Sequence, residues 1–184
     1  MMSLEKISTI EKMPESRWAF FLEPWGRSIF MGIDCSSRAV HVVLVDEHEQ
    51  IVGQGKWRSS ENDFNDRFLE IMQKFNEDLS KITLIQEAAV ESAIFIQNPK
   101  STMEIATVVG GVRLICSQHG LECVPVDNRH WKKHILGKGN LNKKAIKEFT
   151  IEKWGDVFNE QDWSDAACIA LWMKRRTKDE LKKG

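Results

Sequence analysis

"SIFMGIDCSSRAVHVVLVDEHEQIVGQGKW", residues 28–57, sets the fold of this chain. Its first apolar run, Ile29, Phe30, Met31 and Ile33, ends at a carboxylate, Asp34. Two serines and Arg38 turn the chain, and a second apolar run, Val40 to Val45, starts at once. "DEHEQ" makes a further turn before a third extended run. Three strands, 28–34, 39–46 and 49–57, therefore read as an antiparallel meander. Asp34 at the tip of a buried strand calls for a reason, because an unpaired buried charge costs on the order of several kcal/mol.

Working outward, "SSENDFNDRFLEIMQKFNEDL" places Phe64, Phe68, Ile71, Met72, Phe75 and Leu79 on one helical face. Ser60 with Asp63 resembles a capping box at its start. "KITLIQEAA" is short, apolar and without alternation, as a strand covered on both faces reads, and its acid is Glu87. Residues 101–119 read as a helix with Gly110-Gly111 at its middle, which permits close approach of another backbone. "LECVPV" is a fifth strand, and residues 127–136, 142–154 and about 162–176 are helical. The order is β-β-β-α-β-α-β-α-α-α, an α/β fold. It implies a mixed five-stranded sheet, three antiparallel strands then parallel ones, with helices on both faces. Residues 1–27 read as an N-terminal extension with the apolar patch "WAFFLEPW", residues 28–176 as the domain, and 177–184 as a polar tail.

Composition bounds the class. The 184 residues fit one domain, and 42% hydrophobic with 29% charged residues is ordinary for a globular protein. The net charge of −1 excludes neither acidic nor basic partners. No apolar run approaches a membrane span, and charges interrupt every short apolar run near the N-terminus, so neither membrane nor secretion is expected. Cys35, Cys116, Cys123 and Cys168 have no paired spacing and read as free thiols in a reducing cytoplasm.

Four acids stand out: Asp34, Glu87, and the pair Asp162 and Asp165, which shares a helical face with Ile169 and Trp172. That face turns its acids toward the protein. Converging carboxylates repel, and a divalent cation is the natural counter-charge. Mg²⁺ or Mn²⁺ prefers such oxygen ligands, and two ions can stabilise the attacking and leaving oxygens of a phosphodiester.

"DNRHWKKHILGKGNLNKKAIK" follows the fifth strand. Arg129, Lys132, Lys133, Lys138, Lys143, Lys144 and Lys147 stand there against one acid, Asp127. Such a local excess neutralises phosphates, with Lys138, Lys143 and Lys144 the leading contacts. His130 and His134 have no partners at zinc spacing and read as polar surface residues.

The segments "MGIDCSSRAVHVVLVD", "LIQEAA" and "DWSDAACIALWMKRR" together resemble the RuvC family of Holliday junction resolvases, of the ribonuclease H-like superfamily, from about Ile29 to Arg176. The resemblance implies that Asp34, Glu87, Asp162 and Asp165 bind two Mg²⁺ or Mn²⁺ ions. It also implies in-line attack by water that leaves a 5′-phosphate and 3′-hydroxyl, and a homodimer that nicks branched DNA symmetrically. The family's first acid is often followed by Pro-Gly, whereas Cys35-Ser36 stand here. A wedge aromatic commonly follows the second acid by three residues; Val90 holds that position, and Phe95 is the candidate replacement. Glu91 competes for the second acid but lies beyond the expected strand end. These departures mark a divergent member, compatible with phage origin. Two other readings are a ribonuclease H acting on RNA–DNA hybrids and a catalytically silent junction-binding module. A sugar-kinase-like phosphotransferase would need a second glycine-rich phosphate loop, which is not found.

Overall fold

A computed structural model describes residues 16–20, 28–82, 84–93 and 98–181, with the backbone alone for 16–20 and 177–181. Six strands are present: β1 (Ser16–Phe20), β2 (Ile29–Cys35), β3 (Ala39–Asp46), β4 (Ile51–Arg58), β5 (Ile85–Glu91) and β6 (Cys123–Val126). The helices are α1 (Phe64–Leu79), α2 (Pro99–Gln118), α3 (Asn128–Leu136), α4 (Lys143–Trp154) and α5 (Gln161–Leu181). The sheet order is β1-β4-β3-β2-β5-β6. β2, β3 and β4 form the antiparallel meander, and β5 and β6 add in parallel beside β2. The five strands read from sequence are all in place. A sixth, β1, comes from the segment read as an extension and pairs antiparallel with β4, from Ser16 beside Trp57 to Phe20 beside Gly53.

Alternation along β2 divides two cores. Ile29, Met31 and Ile33 pack with Phe75 and Val112 beneath α1 and α2. Phe30 faces the other way, with Val43, Ala89, Trp131 and Ile169 beneath α3 and α5. Asp34 shares the parity of Phe30 and so points to the α5 side.

Gly32 decides how near α5 comes. A Cβ built on it would lie 2.1 Å from the Ala166 carbonyl oxygen and 2.1 Å from the Ala170 nitrogen. Only a residue without a side chain lets the helix backbone rest on the strand, and this contact carries the acid-bearing start of α5 to the tip of β2.

The glycine pair of α2 divides its work. A Cβ on Gly111 would meet Met72 Sδ at 2.7 Å and Phe68 at 2.8 Å, so Gly111 seats α2 against α1. Gly110 faces open space, with exposed Met103 and Leu114 as its apolar neighbours along the helix surface.

Two local expectations are corrected. Asp63 is itself the N-cap of α1, accepting from the Asn65 and Asp66 amides, in place of the Ser60–Asp63 box. The strand expected over "KITLIQEAA" begins later, at Ile85, and runs on through Val90 to Glu91. All four cysteines are free thiols, and Cys116, Cys123 and Cys168 are buried. No described helix is long and apolar enough to cross a membrane.

At the sheet end away from Asp34, Glu49 sits in the β3–β4 turn at φ 63°, a left-handed conformation that costs a non-glycine residue energy. Its carboxylate is gripped by Lys153 at 2.5 Å, Lys174 at 2.8 Å and Arg175 at 3.1 Å, and its carbonyl accepts from Trp154 Nε1 at 2.8 Å. Arg175 foremost, then the two lysines, hold its acidity far below the usual carboxylate range against the opposing effect of burial. The last turn of α4 and the Lys174–Arg175 stretch of α5 are thereby fastened to one hairpin.

Candidate active site

Parallel pairing sets Ile33 beside Val90, so Asp34 and Glu91 leave the two strands side by side. The first turns of α5 bring Asp162 and Asp165 over the same strand ends. Asp34 is half-buried, and its carboxyl is pushed well above the usual range, first by loss of water and then by the charges of Glu91, Asp165 and Asp162. Among the groups that shape its acidity, only the Cys35 backbone N–H favours the ionised form. Asp165 is raised to about 6 by burial, with Glu91 and Asp162 adding to the effect. A hydrogen bond from Gln161 Nε2 at 3.0 Å and the charge of Lys132 oppose it.

Glu91 is held from α3. Asn128 Nδ2 donates to both its oxygens at 2.9 Å, and Trp131 Nε1 donates to Oε2 at 2.7 Å. Trp131 is fully buried. Asp162 lies at the open side, with its Oδ2 3.7 Å from His41 Nδ1. His41, the cross-strand partner of Asp34, is buried against Trp163 at 5.0 Å between ring centroids. Its Nε2 lies 3.3 Å from Glu160, whose two oxygens both accept from Lys56 at 2.7 Å.

Three of the four expected acids meet here: Asp34, Asp162 and Asp165. Glu87 does not. It pairs beside Phe30, four residues back along β5, where it has interactions of its own. At about 3.3 Å per residue that is about 13 Å from the strand tip. Glu91 occupies the position assigned to Glu87, and the reason is the strand boundary. The apolar run does not stop at Ala89 but continues through Val90, and Glu91 follows it as Asp34 follows Ile33. His41, Glu160, Asn128 and Trp131 were not singled out as site residues. None belongs to a motif, and only the pairing of β2 with β3 and the packing of α3 bring them in.

The donor set suits a hard divalent cation. All four acids offer oxygen, their charges are poorly compensated by the protein, and part of the cluster is open to solvent through Asp162. Among the described residues, His41, Glu160 and Asp162 bring three ligand atoms within 4.8 Å of one another. That group differs in already having a protein cation, Lys56, bonded to Glu160.

Six of the seven basic residues are exposed. Arg129 and Lys133 are exposed on α3, Lys138 in the following loop, and Lys143, Lys144 and Lys147 on α4. Lys132 is half-buried, its ammonium 5.4 Å from the Trp131 ring centre, and of these seven it is the one whose charge reaches Asp165. Phe95 lies outside the described residues.

Strand order β4-β3-β2-β5-β6 with helices on both faces, and acids gathered where β2 and β5 end, is the ribonuclease H-like architecture. Within it the family is defined by sequence. The model of the family "Crossover junction endodeoxyribonuclease RuvC" matches residues 30–172, and the chain belongs to that family. RuvC of Brachyspira hyodysenteriae is 28% identical over 123 residues, covering 66% of this chain and 76% of the relative. RuvC of Salinibacter ruber is 27% identical over 149 residues, covering 78% and 83%. The structure of T. thermophilus RuvC in complex with a Holliday junction substrate shares the fold with a TM-score of 0.69 at 16% identity. That match covers 82% of this chain and 96% of the other.

Proposed function

We propose that this chain is a Mg²⁺- or Mn²⁺-dependent endonuclease that resolves Holliday junctions, with Asp34, Glu91, Asp162 and Asp165 as its catalytic acids. The observation that carries the reading is the half-buried Asp34 carboxylate facing three others with little protein charge to balance them. Two bound divalent cations would supply that balance and stabilise the oxygens of the scissile phosphate. The acids hold and orient; Lys132 lies near enough to Asp165 to meet a phosphate beside the cluster. Arg129, Lys133, Lys138, Lys143, Lys144 and Lys147 extend a cationic track along α3 and α4 for the DNA backbone. Their exposure supports that role, although Lys144 and Lys147 have Glu148 and Asp156 as neighbours at 3.8 and 3.9 Å. Paired incision of opposed strands calls for a homodimer acting on DNA in the cytoplasm, and the open face around Gly110 is the surface offered for it.

The test compares Glu91→Gln with Glu87→Gln on labelled four-way junction, duplex and RNA–DNA hybrid, with and without Mg²⁺. The expected outcome is junction-selective, metal-dependent cutting that Glu91→Gln abolishes and Glu87→Gln leaves within a few-fold of the parent. Cutting that survives Glu91→Gln removes Glu91 from the site. Preferential cutting of the hybrid returns the ribonuclease H reading.

A further inference from the structure

Glu91 is a long side chain with three rotatable bonds at the end of a strand. Left to itself it would sample many rotamers, and each would aim its charge differently. In this chain it has no such freedom. Asn128 Nδ2 spans both carboxylate oxygens at 2.9 Å, and Trp131 Nε1 adds a 2.7 Å bond to one of them. Both donors come from the first turn of α3, which starts on the Asp127 cap immediately after β6. Trp131 cannot swing away, because its indole is fully buried in the core beneath α5. Its ring face also carries the Lys132 ammonium.

We infer that Asn128 and Trp131 are positioning residues that fix Glu91 for cation binding, and that they tie the metal affinity of the site to the basic helix α3. This rests on the reading of Glu91 as a metal-binding acid. Neither donor can ligate a cation itself, since each presents N–H. An ionised carboxylate has about four lone-pair directions, and three N–H contacts leave room for a cation on the side of Asp34. Donors of this kind hold a ligand in one rotamer, and their loss typically weakens metal binding about 10- to 100-fold. The same helix presents Arg129, Lys132 and Lys133. A phosphate that draws on those side chains acts on the turn that orients Glu91. Binding of DNA and of metal are then linked, and each changes the affinity for the other by the same factor.

The experiment measures Mn²⁺ binding to the full-length, DNA-free protein by electron paramagnetic resonance, alongside Tm in EDTA and the Mn²⁺ midpoint of junction cleavage. The variants are Trp131→Phe, which keeps a ring but removes the N–H, Asn128→Ala at a half-exposed position, and Glu91→Gln. Each positioning variant should weaken Mn²⁺ about tenfold, and excess Mn²⁺ should restore most of the cleavage rate. Asn128→Ala keeps the test valid if Trp131→Phe proves unstable. A purely structural role would lower Tm and leave the Mn²⁺ midpoint where it was. Unchanged Mn²⁺ binding in both variants, with binding weakened in Glu91→Gln, overturns the positioning role alone. Unchanged binding in Glu91→Gln overturns the assignment of Glu91, and the positioning role with it.

Discussion

Asp34 is half-buried with three other carboxylates about it, so the metal-free protein carries a cost that pH exposes. Asp165 titrates at about 6 in the folded chain, against about 4 for an ordinary aspartate, and Asp34 shifts the same way. The folded state therefore binds these protons more tightly than the unfolded one. Their contribution to stability is full below the ordinary aspartate range and is lost as pH rises through 6. In EDTA, Tm should fall between pH 5 and pH 7.5. Glu49, shifted oppositely, acts only at lower pH. At pH 7.5 Asp165→Asn should recover about 2–3 kcal/mol, roughly 4–10 °C in Tm, and Asp34→Asn should also raise it. Mg²⁺ should stabilise the parent more than either variant. Thermal scans showing no gain in either variant would contradict the uncompensated cluster. At this scale the sequence exposed Asp34, Asp162 and Asp165, since each stands against an apolar run on its own element. It named Glu87 because Glu87 and Glu91 share the same strand face, and only pairing with β2 says which one reaches the tip.

Among the elements, the contact of α5 with β2 positions the site. Gly32→Ala would put a methyl group where the Ala166 carbonyl and the Ala170 amide now lie, 2.1 Å away. The helix must lift by more than 1 Å, a change that overpacked cores resist at a cost of about 1–3 kcal/mol or more. The expected outcome is a lower Tm together with Mn²⁺ binding weakened at least tenfold, because Asp162 and Asp165 move with the helix while Asp34 and Glu91 stay. Binding that remains at the parent level in the folded variant would show that the site tolerates the lift. Element order was legible because apolar periodicity changes visibly between residues 57 and 64 and again beyond 91. β1 was not legible, since a single edge strand preceded by mixed polar sequence gains its identity only from pairing with β4. The bonds from α3 to Glu91 were equally hidden, because Asn128 and Trp131 lie 37 and 40 residues from their acceptor.

For the whole molecule, the two glycines of Gly110-Gly111 differ. Gly111 is filled from within by α1, and Gly110 leaves an apolar face open between Met103 and Leu114. If that face is the dimer contact, Leu114→Glu should leave Tm within a few degrees of the parent, because Leu114 is already 61% exposed. Sedimentation should then give 21.2 kDa in place of twice that mass. The two incisions of one junction should also lose their coupling. A dimer that persists in Leu114→Glu places the contact elsewhere. The Glu49 cluster has a mechanical consequence. α4 is 12 residues, about 18 Å long, with Lys153 and Trp154 pinned to Glu49 at one end and Ile146 fully buried towards the other. Between them buried Thr150 donates to Ser164 of α5 at 3.2 Å. A pull on Lys143 or Lys144 is therefore carried along a braced strut into α5, the helix that bears Asp162 and Asp165.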